Sequence, residues 1–171
     1  GANLISFPHP GSLSISESIP DEFEYDFNGI IGQGVAANQL TPQFWVGSLS
    51  SLEGYDGYWA KLNNSINSFS FNLPDDILFH KVEEQNNITV DYIQSINQAF
   101  YFVEKIQDFN IDDEDIIYAY NDNILVGSRK WSGEYTDIPV MGFMDETTLG
   151  YCKKGDIPRF LLEKSATNQI I

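Results

Sequence analysis

Short apolar and aromatic runs, each closed within a few residues by Gly, Pro, Asn or Asp, recur along the whole of this 171-residue chain. Phe, Tyr and Trp make up 14% of it, and aromatic residues favour strands. No long segment shows the 3.6-residue period of an amphipathic helix. The pattern therefore predicts an all-β or mostly β fold of the sandwich or barrel type, with at most one short helix, near residues 14–19.

The strand candidates share a core of Ile, Val, Phe, Tyr or Trp with turn residues at their ends. They cover residues 3–7, 29–32, 35–37, 44–47, 57–62, 66–71, 99–103, 116–120 and 124–128. Residues 3–7 are expected to be buried, and residues 77–82 and 88–92 to be edge strands or connections. Asn121, Asp122 and Asn123 separate the last two candidates, which predicts a β-hairpin.

A break in the pattern falls at residues 72–76, Asn-Leu-Pro-Asp-Asp. Such a stretch is typical of a turn or linker. The chain is long enough for one ordinary domain or two small ones. We therefore expect two small β-sandwich-like or β-barrel-like modules, residues 1–74 and 75–171, that pack together.

The chain is strongly acidic, with 25 Asp and Glu against 9 Lys and Arg and a formal net charge of −16. A field of this sign repels phosphate groups, which argues against binding to nucleic acid or to anionic membrane surfaces. No apolar run approaches the roughly 18 residues that a membrane-spanning helix needs, so no membrane insertion is expected. The single cysteine, Cys152, leaves no internal disulfide.

Motifs for catalysis are weak in this sequence. Residues 32–37 read Gly-Gln-Gly-Val-Ala-Ala and match a dinucleotide-binding fingerprint, but Pro42 follows too soon for the helix that such a site needs, so ordinary glycine turns are the better interpretation. His9 and His80 each stand alone, which argues against zinc. No carboxylate pair is marked out for glycoside hydrolysis, and Cys152 lacks a partner base. The chain is predicted not to be an enzyme, with a small hydrolase as an alternative.

Calcium is the best cofactor candidate. Four consecutive acids, Asp112 to Asp115, precede the predicted hairpin, whose turn adds three more oxygen-bearing side chains. Calcium takes six to eight oxygen ligands, and such clusters supply them. The predicted ligands are Asp113, Asp115, Asp122 and Asn123. A solvated acidic turn is the alternative, and the lack of an EF-hand spacing favours it.

A glycan or a protein partner is the second ligand candidate, because Tyr and Trp combine an apolar body with a polar tip. The predicted binding residues are Trp131, Tyr135, Arg129 and Tyr55. Trp131 is expected to be the exposed tryptophan, since Arg129, Lys130, Ser132 and Gly133 surround it. Trp59 or Trp45 is expected to point inward, and Tyr58 and Trp59 alternate, so at most one of that pair faces solvent.

Two sets of motifs resemble known modules. Residues 3–8 (NLISFP) and 57–62 (GYWAKL) resemble the "GWNLISFP … GYWIKL" modules of large secreted or surface proteins of marine bacteria and marine phages. Residues 98–103 (QAFYFV), 114–121, 126–129 (VGSR), 137–142 (DIPVMG) and 155–158 (GDIP) resemble a companion module. Many relatives carry a Cys directly before the Val-Gly pair, where this chain has Leu125. The resemblance implies β-rich accessory modules, an extracellular or virion- or cell-surface location, and no catalytic residues.

Together these features predict a non-catalytic accessory or display module of a larger extracellular or virion-surface protein. Its expected partners are neighbouring domains of that protein and a glycan or protein ligand. A structural spacer without a ligand is the alternative from a different class.

Overall fold

The structure is a computed structural model that describes residues 1–73 and 92–171. The chain divides into two compact units, Gly1–Gln85 and Asn86–Ile171. The boundary predicted between residues 74 and 75 lies outside the described residues. His80 and nearly all of the predicted segments at 77–82 and 88–92 also lie outside them.

The described residues of the first unit form seven strands, one short helix and one 3₁₀ turn. They are β1 (Ala2–Ser6), β2 (Ser12–Ser14), α1 (Ile15–Ser18), the 3₁₀ turn Glu24–Asp26, β3 (Phe27–Ile31), β4 (Ala36–Thr41), β5 (Phe44–Val46), β6 (Ser51–Glu53) and β7 (Gly57–Leu62). Five strands form an antiparallel sheet in the order β1-β7-β3-β4-β5, and β2 pairs with β6. The helix begins where Ser14 accepts a hydrogen bond from the backbone N–H of Glu17 at 3.3 Å, which is an ordinary N-cap. The predicted short helix is therefore confirmed.

The core of the first unit lies on one face of the five-stranded sheet. Phe7, Phe27 and Ile30 are buried there, and the rings of Phe69 and Phe71 pack against them. The predicted strand at residues 66–71 is wrong, because the chain makes no ladder there. The two phenylalanines reach the core from an irregular segment, consistent with the imperfect alternation of that stretch.

Strand β1 is exposed rather than buried as expected. It lies at the edge of the sheet and pairs with β7 alone. Leu4 is 67% exposed, and only Ile5 of this strand packs against the core.

The glycine-containing stretch from Gly32 links β3 to β4, which run antiparallel. It is the glycine turn expected from the sequence, since a dinucleotide site needs a parallel β-α-β unit.

From residue 92 onward, the second unit forms six strands and one 3₁₀ turn. They are β8 (Gln98–Val103), β9 (Ile116–Asn121), β10 (Ile124–Lys130), β11 (Thr136–Met141), the 3₁₀ turn Glu146–Thr148, β12 (Arg159–Lys164) and β13 (Gln169–Ile170). A four-stranded sheet has the order β10-β9-β12-β13, and β11 pairs with β8. The core between these strands includes Ile117, Val126, Ile138, Met141 and Leu162.

The predicted hairpin at residues 116–128 is confirmed. Asn121 pairs with Ile124 across a two-residue loop of Asp122 and Asn123. Asp122 has a φ of 52°, a left-handed conformation that Asx residues tolerate. The prediction of a mostly β chain with one short helix is also confirmed. No helix in the described ranges is long and apolar enough to cross a membrane.

Strand β10 approaches β11 closely at Gly127. A β-carbon at this position would lie 1.7 Å from the carbonyl oxygen of Pro139.

Pro139 itself stands opposite Phe100 of β8. The neighbouring pair Gly142 and Asn97 is joined by a backbone hydrogen bond of 2.6 Å. Because hydrogen-bonded and non-hydrogen-bonded pairs alternate, Pro139 falls at a non-hydrogen-bonded pair, where its missing N–H costs this ladder nothing.

Candidate functional site

The structure separates the four residues predicted to bind calcium. Asp115 directly precedes β9, while Asp122 and Asn123 form the turn at the other end of that strand. The strand's length puts the two groups about 20 Å apart. Asp113 lies in the exposed turn before Asp115. Within residues 1–73 and 92–171, no group of three or more His, Cys, Asp and Glu residues could hold a metal ion.

Asp115 has a different role, because its carboxylate is completely buried. It forms an ion pair with Lys164 and accepts hydrogen bonds from the backbone N–H groups of Ser165 at 2.8 Å and Asp112 at 3.0 Å. Burial alone would raise the pKa of Asp115, but these hydrogen bonds outweigh it and hold the pKa well below its usual range. The carboxylate joins the start of β9 to the end of β12.

The predicted ligand-binding residues Trp131, Tyr135 and Arg129 lie in the second unit, and Tyr55 lies in the first. Tyr55 is exposed as expected. Arg129 forms an ion pair with the buried Asp137 at 3.3 Å. Trp131 packs against the core of its unit, so the expectation that it is the exposed tryptophan is wrong. Its backbone N–H donates to the carbonyl of Asp115 at 2.8 Å, which keeps Trp131 beside the core.

The exposed tryptophan of the first unit is Trp59, which is 49% exposed. Of the two tryptophans named as inward candidates, Trp45 packs against the core beside Phe27 and Trp59 faces away from the core. The alternation of β7 explains the result, because Tyr58 and Ala60 are buried and their neighbours therefore face away from the core. The expectation that at most one of Tyr58 and Trp59 faces solvent is confirmed.

Trp59 lies in the middle of an apolar row that crosses three strands. It pairs with Leu4 of β1 on one side and with Ile31 of β3 on the other. A second, more polar row follows, in which Lys61 pairs with Gly29 and Gly29 pairs with Asn38. Leu4, Ile31, Asn38, Trp59 and Lys61 form what we term the Trp59 face.

The Trp59 face has unused hydrogen-bonding capacity. The ammonium group of Lys61 forms no ion pair or hydrogen bond with any residue that the structure describes, and neither does the side-chain amide of Asn38. Both side chains share the outer side of the sheet with the indole. The face therefore combines a flat apolar surface with two polar groups that can bind a ligand.

A second candidate site is a groove of about 290 Å³ in the second unit. Residues of β8, the end of β11 and the segment after Tyr151 line it. They are Asn97, Gln98, Ala99, Tyr101, Val140, Gly142, Cys152, Lys153, Lys154, Gly155, Asp156 and Pro158. The ring of Tyr101 packs edge-on against Phe160 with centroids 5.2 Å apart, which fixes it at one side of the groove.

Cys152 lies in this groove, but its environment does not activate the thiol. Burial raises the pKa of Cys152, and the carboxylate of Asp156 raises it further. A nucleophilic cysteine needs the opposite shift, because the thiolate is the reactive form. The two neighbouring lysines, Lys153 and Lys154, do not reverse this effect.

No protein family, curated protein sequence or solved structure matches this chain.

Proposed function

We propose that this chain is a non-catalytic accessory module of a larger extracellular or virion-surface protein, and that it binds a glycan on the Trp59 face. The observation that carries the proposal is the half-exposed indole of Trp59 in a row with Leu4 and Ile31. A large apolar side chain in water is costly unless a partner covers it. An indole offers a flat surface on which the C–H face of a sugar ring can stack.

The polar row supports a glycan over a purely apolar partner. Lys61 can donate hydrogen bonds to sugar hydroxyl groups, and the amide of Asn38 can both donate and accept. Gly57 shares this side of β7 with the indole, and a β-carbon there would come no closer than 3.9 Å to any neighbouring atom, so the strand leaves space beside Trp59. The raised pKa of Cys152 supports a non-catalytic role for the other candidate site.

A glycan array probed with the whole chain tests this proposal. We expect at least one class of glycan to bind, and Trp59→Ala to reduce its affinity about tenfold or more, because stacking on an aromatic ring is the main apolar contact. Tyr25→Ala is the matched control, since Tyr25 is also highly exposed and lies in the same unit outside the Trp59 face.

Two results would contradict the proposal. An array without any binding at high protein concentration would favour a structural spacer. Equal loss of binding in the Trp59→Ala and Tyr25→Ala variants would show that the Trp59 face is not the site.

A further inference from the structure

Most cationic side chains of the second unit already have a partner. Arg129 binds Asp137, Lys130 binds Glu114 at 2.6 Å, and Lys164 binds Asp112 and Asp115. Arg159 lies over the ring of Tyr120, and Lys153 over the ring of Phe143. Only Lys105 and Lys154 have neither a carboxylate nor a ring partner among the described residues.

Lys154 lines the groove, whereas Lys105 does not. An acidic chain offers many carboxylates, so an ammonium group left without one beside a concave surface is available to an external anion. Asp156 is the only acidic residue of the groove, and its carboxylate accepts a hydrogen bond from the backbone N–H of Lys153 at 2.8 Å. Asp156 thus shapes the loop that presents Lys154.

The shape of the groove suits a single ring. Ala99, a small and exposed residue of β8, lines the groove and lies two residues before Tyr101 on the same face of that strand. Tyr101 stands to one side and is held by Phe160. A volume of about 290 Å³ is at the lower end of the range for small-molecule sites, as expected for one sugar residue.

We propose that this groove binds a uronate, a sugar residue that carries a carboxylate. The carboxylate is bound by the ammonium group of Lys154, and the sugar ring packs against Tyr101. Asn97 lines the groove, and its side-chain N–H₂ donates to the carbonyl of Phe143 at 2.8 Å, which leaves its side-chain oxygen as the acceptor for a hydroxyl group of the ligand. The groove belongs to the second unit, so its ligand does not depend on the Trp59 face.

Titration of the whole ¹⁵N-labelled chain, followed by NMR, tests this inference. The probes are a trimer of galacturonate, the uncharged trimer of galactose and a trimer of glutamate. We expect the galacturonate trimer to shift the resonances of Lys154, Tyr101 and Gly155 in a saturable way. Raising the sodium chloride concentration should weaken binding, because salt screens an exposed charge pair.

Two variants and one control locate the site. Lys154→Gln and Tyr101→Ala should each weaken galacturonate binding about tenfold or more, since a charge-assisted contact or a ring contact is lost. Lys105→Gln makes the same change of charge in the same unit outside the groove and should leave the affinity unchanged. Lys154 is exposed, so Lys154→Gln keeps the fold even if Tyr101→Ala does not.

Four outcomes would overturn the inference. They are no saturable binding of galacturonate, equal affinity for the galactose trimer, equal affinity for the glutamate trimer, and equal weakening by Lys105→Gln and Lys154→Gln. Equal affinity for the glutamate trimer would indicate that the groove binds an acidic peptide rather than a sugar. Trp59→Ala should leave galacturonate binding intact, and its loss in that variant would place the ligand on the Trp59 face instead.

Discussion

Replacing Asp115 by Asn should destabilise the second unit far more than any neighbouring acid replacement. The buried carboxylate of Asp115 accepts hydrogen bonds from Lys164, Ser165 and the backbone N–H of Asp112. An Asn side chain has one acceptor oxygen, and its N–H₂ group would face donors instead. The ammonium group of Lys164 would also lose its closest counter-charge.

The expected cost of Asp115→Asn is about 3 kcal/mol of the free energy of unfolding. Removing one partner of a buried, hydrogen-bonded ion pair typically costs 3–5 kcal/mol, and the partial exposure of Lys164 places this case at the lower end. For a unit of this size, that corresponds to a fall in melting temperature on the order of 15 °C. Asp113→Asn is the matched control, and as an exposed acid it should change stability by about 0.5 kcal/mol or less.

The pH dependence gives a second readout. The pKa of Asp115 is lowered in the folded state, so its contribution is present above the ordinary Asp pKa of about 4 and is lost as the pH falls below it. Urea unfolding should therefore show a constant difference between wild type and Asp115→Asn from about pH 5 to 8 and a narrowing difference below about pH 4. Equal effects of the Asp113 and Asp115 variants, or a difference that does not change with pH, would refute the reasoning.

Three further predictions concern the tryptophans, one glycine and calcium. Trp131→Ala should cost about 2 kcal/mol and Trp59→Ala about 1 kcal/mol or less in urea unfolding, because only Trp131 packs against a core; the reverse order would show that the strand faces are assigned wrongly. Gly127→Ala should lower the free energy of unfolding by about 3 kcal/mol, since its β-carbon would overlap the carbonyl of Pro139. Gly155→Ala is the control: Gly155 has a φ of 103° and open space around it, so the loss should be about 1 kcal/mol. Similar melting temperatures for these two variants would contradict the close approach of β10 to β11. Millimolar calcium should raise the melting temperature no more than sodium chloride of equal ionic strength, and a calcium-specific rise would reveal a site that the described residues do not form.

Local signals predicted the local structure well. The serine-containing stretch at residues 14–19 and the Asx turn at residues 121–123 act within a few residues, so the helix and the hairpin could be recognised without knowledge of the rest of the fold. The segment at 66–71 had no clear period of either kind, and the structure makes no strand of it. Element type was predictable where one short-range interaction determines it.

The orientation of Trp59 could have been predicted from β7 itself. Lys61 lies two residues after Trp59 and so shares its side of the strand, and a lysine is almost never fully buried without a partner. That signal indicates an outward indole and an inward Tyr58. The general tendency of tryptophan to be buried favoured the opposite assignment, and the alternation of the strand outweighed it.

The role of Asp115 could not be predicted, because its partner Lys164 is 49 residues away in the sequence. The acids around it suggested a cation site with Asp122, but a six-residue strand separates those two carboxylates. Closeness in sequence therefore placed Asp115 with the wrong neighbours. The strand pairing of β9 with β12 supplies a lysine where the sequence suggested calcium.

The pairing of Asp115 with Lys164 changes how the net charge of the chain should be interpreted. A value of −16 suggests a chain that repels anions everywhere, yet five of the cations in the second unit are paired with carboxylates or stacked on rings. The field near a groove depends on the charges that remain uncompensated within about one Debye length, roughly 8 Å at physiological salt. Lys154 has no ion-pair partner among the described residues, and neither has Lys61 on the Trp59 face. The two proposed ligand sites therefore rest on the few unpaired lysines rather than on the total charge of the chain.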